Sequence, residues 1–115
     1  MVRGEVYFLD LSPRSGSEQS GRRPGIIVSH DSFNDVPTWH SITVIPLTTS
    51  PRWMKASPTT VLFKRGECGL SKDGAALAHQ VTTVDKSKLL EPALGRARGE
   101  KLDEVDQALR NYLNL

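Results

Sequence analysis

The sequence predicts a small, strongly curved antiparallel sheet or barrel with one C-terminal helix. Three observations predict this mainly β class. Short segments rich in β-branched, aromatic and aliphatic residues recur along the chain, irregular polar loops separate them, and a helical period appears only at the end. With 115 residues and no internal repeat or linker, the chain is expected to form a single domain, residues 1–115, around one core.

The predicted strands are short and differ in how they end. The first, residues 4–11 (GEVYFLDL), stops at a Ser-Pro pair. The third, residues 41–47 (SITVIPL), contains Pro46, which has no N–H for a ladder hydrogen bond and is therefore expected near the strand end or on an edge. The other segments expected to be strands are 25–30, 59–63, 75–84 and 89–97, the last of them interrupted by Pro92.

Two periodicities complete the fold prediction. Residues 75–84 (AALAHQVTTV) alternate, which places His79 with Leu77 on one face and Gln80 on the other. Apolar residues near the C terminus follow spacings of 3, 4 and 3, and this spacing predicts an amphipathic helix from about residue 100 to 113. Those residues are Leu102, Val105, Leu109 and Tyr112.

A long polar loop, residues 13–24, leads into the second strand and ends in Arg22, Arg23 and Pro24. Loops of this length inside a compact domain are usually functional or disordered. The proline restricts Arg23 to an extended backbone, so this side chain leaves the chain at a stiff point. From the residues alone, the arginine pair is either ordinary exposed surface or a clamp for a phosphate.

Composition sets limits on the function. The chain is 37% hydrophobic and 24% charged, and its net charge is +2, which permits a polyanionic partner without requiring one. No apolar run is long enough for a membrane span and no signal peptide is evident, so we expect a cytoplasmic protein without a membrane partner. The single cysteine, Cys68, fits a reducing compartment, and the scattered histidines lead us to expect no metal site and no cofactor.

Other polar and aromatic residues admit two interpretations each. Thr48 and Thr49 follow the third strand, where a hydroxyl can bind a phosphate oxygen or cap a turn. Gln80 can contact a base edge or a loop backbone, and Trp39 and Trp53 can stack on bases or cover a core. His79 is expected to be a hydrogen-bonded core residue, and Cys68 has no recognisable base partner that would make it a nucleophile.

Four motifs occur in order: RGEVYFLDLSP, GSEQSGRRP, IPLTTS and HQVTTVDKSKL, followed by the helix LDEVDQALRNYL. In this order and spacing the chain resembles the MazF/PemK family of type II toxins, which are ribosome-independent endoribonucleases. The resemblance covers nearly the whole chain, and the GSEQ-x-G-x-RP stretch is its most specific part. It implies an SH3-like barrel with a C-terminal helix, a homodimer whose grooves bind single-stranded RNA, and an acidic antitoxin as partner.

The resemblance also assigns roles to individual residues. It implies that Arg23 and Thr48 are catalytic, that Glu18 and Gln19 lie in a loop that gates the groove, and that Gln80 lines it. The remaining expected RNA-binding residues are Arg22, Thr49 and Arg52. The chain departs from many members by having His79 where they have an acidic residue, and Val81-Thr82 where a basic residue occurs, so the base preference is left open.

The expected chemistry is attack of the RNA 2′-hydroxyl on the adjacent phosphorus, which requires no metal ion. A guanidinium group suits the stabilisation of the resulting phosphorane because its planar donors match phosphate oxygens. We therefore expect Arg23 to act mainly electrostatically, Thr48 to donate to a nonbridging oxygen and Arg22 to hold a neighbouring phosphate.

Two other functions are alternatives to RNA cleavage. A CcdB-like gyrase poison of the same fold would carry a C-terminal tryptophan, whereas this chain ends in NYLNL and has its tryptophans at 39 and 53. A non-catalytic RNA-binding barrel is the other alternative, and such a module would not need Arg23 together with Thr48.

Overall fold

The computed structural model describes residues 1–11, 16 and 21–115. Within these residues, the chain forms an antiparallel β-sheet and a C-terminal helix, so the predicted fold class is confirmed. The strands are β1 (Glu5–Asp10), β2 (Arg22–Ile27), β3 (Ser41–Thr48), β4 (Thr60–Phe63), β5 (Gly74–Leu77), β6 (Thr82–Asp85) and β7 (Leu89–Arg96). The α-helices are α1 (Asp31–Asn34) and α2 (Gly99–Leu113), and short 3₁₀ turns span Pro51–Trp53, Glu67–Gly69, Ala78–Gln80 and Lys86–Lys88.

The strands follow the order β4-β5-β3-β2-β1-β7, and β6 also pairs with β3. Strand β3 therefore has two partners along one edge, since residues 41–44 pair with β6 and residues 47–48 pair with β5. Pro46 lies at this change of partner, two residues before the end of β3, where a residue without an N–H is tolerated. Among the described strands β4 and β7 do not pair, so the sheet is open rather than a closed barrel.

Both faces of the central strands are buried. Neighbouring residues of one strand, such as Ile26 and Ile27 of β2, belong to two separate apolar clusters because successive side chains point to opposite faces. Helix α2 covers the first cluster with Val105 and Ala108, whereas Leu89 of β7 contributes to the second. No helix in the described part of the chain is long and apolar enough to cross a membrane.

The second strand differs from its prediction at both ends. Strand β2 begins at Arg22 rather than after Pro24, because Arg22 and Arg23 pair with Asp10 and Leu9 of β1. Both arginines are thus strand residues and not the end of the expected loop. The strand ends at Ile27, and His30 caps α1 instead, with its Nδ1 accepting a hydrogen bond from the Ser32 N–H at 3.0 Å.

The predicted strand 75–84 is wrong as one element. Leu47 pairs with Ala76 and Val44 pairs with Thr82. Three residues along β3 therefore correspond to six residues along the segment that pairs with it. The extra residues form the Ala78–Gln80 3₁₀ turn between β5 and β6. The alternation therefore does not continue through the segment, and His79 is half-buried beside aromatic rings rather than a core residue.

Candidate functional site

The start of β2 and the end of β3 lie at one end of the sheet. These strands pair through Ile27 with Val44, Ile26 with Ile45 and Gly25 with Pro46. Pairing stops there, and Pro24 has no N–H with which to extend it. If the same register were continued by three residues, Arg23 would lie opposite Thr48 and Arg22 opposite Thr49. Antiparallel pairing thus brings two arginines and two threonines, about 25 residues apart in sequence, to one edge.

A cleft of about 450 Å³ opens at this edge. Of the predicted site residues, Arg22, Arg23 and Thr49 line it. Its other lining residues are Phe8, Pro24, Leu47, Gly69, Leu70, Ser71, Lys72, Gly74 and Leu94. The described lining therefore contains three cationic side chains and no carboxylate, so the cleft suits an anion with an apolar portion.

The two arginines differ in their surroundings. Arg22 is exposed and forms no ion pair with the described residues, whereas Arg23 is half-buried and already interacts with another group of the protein. Lys72, across the cleft, is exposed and likewise has no carboxylate partner in the described chain. Arg22 and Lys72 are thus available to an anionic ligand, and Arg23 is held in place beside them.

Thr48 is buried, with 3% of its surface exposed, and it does not line this cleft. Its Oγ1 accepts a hydrogen bond from the Ser50 N–H at 3.2 Å, which is the turn-capping role. Among the described residues, the Thr48 hydroxyl acts as an acceptor in this bond and has no acceptor of its own. Thr49 is exposed and lines the cleft, so Thr49 is the threonine of this pair that a ligand in the cleft can contact.

Arg52 and Gln80 do not line this cleft. The Arg52 guanidinium lies over the Trp53 ring at 5.1 Å, and Trp53 in turn contacts the His79 ring at 5.1 Å. The row continues to Tyr112 of α2, whose ring centroid is 6.4 Å from that of His79. Gln80 follows His79 in the 3₁₀ turn and is half-buried. Arg52, Trp53, His79 and Tyr112 thus form an aromatic surface that lies outside this cleft.

The chain matches the family model described as PemK-like, MazF-like toxin of type II toxin-antitoxin system over residues 2–113. It belongs to this family. It is 36% identical over 118 residues to endoribonuclease MazF9 of Mycobacterium tuberculosis, covering 100% of this chain and 98% of that protein.

Solved structures of similar proteins have the same fold. An endoribonuclease from a mycobacterial species, in complex with its cognate antitoxin, superposes with a TM-score of 0.79 at 26% identity, covering 100% of this chain and 96% of that one. MazF from Deinococcus radiodurans superposes with a TM-score of 0.80 at 27% identity, covering 100% and 97%.

The predicted gating residues of this MazF-like chain, Glu18 and Gln19, lie outside the described residues. Phe8 and Lys72 also line the cleft, and neither residue was predicted from the sequence. Phe8 is 40% exposed although it lies in the middle of β1, and an aromatic residue at an outward position of that strand was the available signal. Lys72 gave no signal, because it lies in a turn that is far from the arginines in sequence.

Cys68 adjoins the cleft wall but is unsuited to nucleophilic chemistry. Burial raises the pKa of the Cys68 thiol, and the Glu67 carboxylate adds to this effect while Lys101 opposes it. The thiol therefore stays protonated at neutral pH, as the lack of a base partner in the sequence suggested. Within the described residues, no three His, Cys, Asp or Glu side chains are grouped as metal ligands would be.

Proposed function

We propose that the chain is the toxin of a type II toxin-antitoxin pair and cleaves single-stranded RNA as an endoribonuclease. The observation that carries this proposal is the cleft whose described lining holds Arg22, Arg23 and Lys72 and no carboxylate, in a member of the MazF-like family. The name of the Mycobacterium tuberculosis relative, endoribonuclease MazF9, supports the activity. The family match favours cleavage over a CcdB-like action on gyrase.

The proposed reaction uses the substrate's own nucleophile. The 2′-oxygen attacks the adjacent phosphorus and the bond from phosphorus to the 5′-oxygen breaks. The products are a 2′,3′-cyclic phosphate and a 5′-hydroxyl, so the proton lost from the 2′-hydroxyl is balanced by one gained at the 5′-oxygen. No metal ion or cofactor is needed for this step, because the protein only has to position the RNA and stabilise developing negative charge.

We assign Arg23 to the scissile phosphate and Arg22 to a neighbouring one. Arg23 is half-buried, so its guanidinium is partly removed from solvent and its donors act more strongly on a phosphorane. Arg22 is exposed, and an exposed cation contributes mainly to the attraction of the RNA backbone. Proton donation by Arg23 to the departing oxygen is compatible with this arrangement.

Thr48 is assigned as a donor to a nonbridging oxygen. Because Thr48 is only 3% exposed, donation to a phosphate oxygen requires the turn through Thr49 and Ser50 to shift. Thr49 would contact the RNA directly, and we assign Arg52 and Gln80 to bases or phosphates outside the cleft. Glu18 and Gln19 are assigned to the gating loop.

The proposed toxin has two protein partners, a second copy of itself and an antitoxin. We infer a homodimer in the cytoplasm that is inhibited by an acidic antitoxin. The complex of the mycobacterial relative with its cognate antitoxin supports the antitoxin as a partner. An acidic segment would bind the cationic side chains that otherwise bind RNA phosphates. A sedimentation experiment at micromolar concentration tests the dimer, and a monomer there would contradict it.

The deciding experiment uses a long RNA incubated with the protein in EDTA. We expect cleavage at defined sites, which sequencing of the fragment 5′ ends identifies. An oligonucleotide with one 2′-deoxy residue on the 5′ side of the cut should resist cleavage, and the products should end in a 2′,3′-cyclic phosphate. Cleavage of the deoxy substrate at an unchanged rate would falsify the mechanism. Intact RNA that stays bound would indicate the non-catalytic barrel, and gyrase inhibition with intact RNA would indicate the CcdB-like action.

A further inference from the structure

We propose that a second cleft beside the first is a nucleotide subsite, which binds a phosphate flanking the scissile one through Arg65 and Lys72. This inference rests on the proposed function, since it extends the path of the RNA from the Arg23 cleft. The second cleft has a volume of about 580 Å³, within the range of sites that hold a nucleotide-sized ligand. It is lined by Thr49, Pro51, Met54, Arg65, Lys72 and Asp73.

The two clefts are adjacent. Thr49 and Lys72 line both of them, so these residues form the boundary across which an extended chain passes from one to the other. An RNA strand that places a phosphate at Arg23 would therefore place a neighbouring nucleotide against Thr49 and Lys72. A free mononucleotide would need only one cleft, whereas a polynucleotide occupies both.

The charges of the second cleft suit a phosphate. Arg65 and Lys72 are both exposed, and neither forms an ion pair within the described residues. Asp73 is the only acidic residue of the described lining, and its Oδ1 accepts a hydrogen bond from the Arg65 backbone N–H at 2.8 Å. One oxygen of the Asp73 carboxylate thus fixes the turn, and the two cationic side chains of the described lining outnumber this single carboxylate.

The remaining lining residues suit a base. Pro51 begins the 3₁₀ turn after β3 and Met54 follows its last residue, and both contribute apolar surface to the cleft. A nucleotide has the same two-sided character, with an apolar base face and an anionic phosphate. Met54 is unbranched and polarizable, so it can pack against different bases without selecting one.

The hairpin that carries the cations is held in place. Strands β4 and β5 pair up to Phe63 and Gly74, and inside the turn the Lys64 N–H donates to Glu67 Oε1 at 2.7 Å. The Gly66 N–H donates to the Leu70 carbonyl at 2.8 Å. Because the turn is ordered by these bonds, binding of RNA does not have to organise it.

The test compares Arg65→Ala and Lys72→Ala with Lys64→Ala. Lys64 adjoins Arg65 in sequence and is also exposed, but it lines a different cleft between β4 and α2, so the control removes the same charge from the same turn. We expect Arg65→Ala and Lys72→Ala each to weaken RNA binding about fivefold and to reduce the salt slope by about one counterion. Lys64→Ala should match the wild type in both RNA binding and turnover.

Binding is measured with an RNA that carries the cut site and the blocking 2′-deoxy residue, and turnover with its cleavable form. Removing nucleotides from one end of this RNA should abolish the difference between Arg65→Ala and the wild type, and removing them from the other end should not. The subsite is wrong if Arg65→Ala and Lys72→Ala behave like Lys64→Ala, or if neither truncation removes the effect of Arg65→Ala. Failure of the proposed cleavage is a separate outcome, because the binding arm still reports on the subsite when bound RNA stays intact. Absence of any RNA binding by the wild type would overturn both.

Discussion

Arg22 and Arg23 are adjacent in sequence, yet strand β2 gives them different surroundings. Arg22 is exposed without an ion pair in the described chain, and Arg23 is half-buried and already engaged. We expect Arg23→Ala to lower single-turnover cleavage by about 10² to 10³, the loss found for one transition-state donor, with little change in affinity. Arg22→Ala should instead weaken binding and reduce the salt slope by about one counterion. Lysine at position 23 should rescue only in part, because an ammonium group lacks the planar fork. If the two variants exchange these effects, the assignment of the pair is reversed.

Thr48 and Thr49 also differ in their surroundings, since Thr48 is buried and Thr49 is exposed. We expect Thr48→Val, which keeps the side-chain shape, to lower the cleavage rate by about 10² because a donor to the phosphorane is lost. Thr48→Ser should restore most of the rate. Thr49→Val should change RNA affinity more than rate. Because Thr48→Val also removes the hydrogen bond from Ser50, thermal melting is the control, and a fall of stability well above the ~1 kcal/mol of one hydrogen bond would assign Thr48 to structure alone.

At the scale of elements, the wall of the first cleft depends on close backbone packing between the Glu67–Gly69 turn and β7. A Cβ at Gly95 would overlap the backbone of Cys68, whereas a Cβ at Gly74 would find Leu47 Cδ2 at 3.5 Å, an ordinary contact. We expect Gly95→Ala to destabilise the protein by roughly 3 kcal/mol, which lowers the melting temperature by about 10 °C or more. Gly74→Ala should change stability by less than about 1 kcal/mol. Equal melting temperatures for the two variants would show that the backbone around Gly95 shifts to accommodate the added methyl group.

The elements also show what the sequence could predict. Strand and helix content followed from composition and period, as in α2, where Val105 is buried as its spacing predicted. The start of β2 could not be predicted, because a polar Arg-Arg-Pro segment becomes a strand only by pairing with Asp10 and Leu9. The break at Ala78–Gln80 was also hidden, since it is set by which residues of β3 the chain must meet.

At the scale of the whole molecule, the sheet order brings the site together from separate parts of the chain. The cleft combines residues of β2, the end of β3 and the turn between β4 and β5. The order of the sequence motifs indicated Arg23 and Thr49 as candidate site residues. Arg65 and Lys72 come close to them only because β5 pairs with the last residues of β3. That contact brings the turn before β5 next to Thr49, and no local pattern in the sequence indicates it.

The cations of both clefts lead to a last prediction, on inhibition by acidic chains. An acidic antitoxin segment and RNA should compete for Arg22, Arg65 and Lys72, and poly-L-glutamate serves as the probe of that charge. We expect it to inhibit cleavage at low salt and to lose most of its effect as salt rises, because exposed charges are screened over about 10 Å at 0.1 M. Arg22→Ala and Lys72→Ala should weaken inhibition and RNA binding in parallel, whereas Lys64→Ala should change neither. The measurement is the inhibition constant of each variant across a salt series. Inhibition that does not depend on salt, or that falls equally in Lys64→Ala, would mean that the acidic chain binds elsewhere on the toxin.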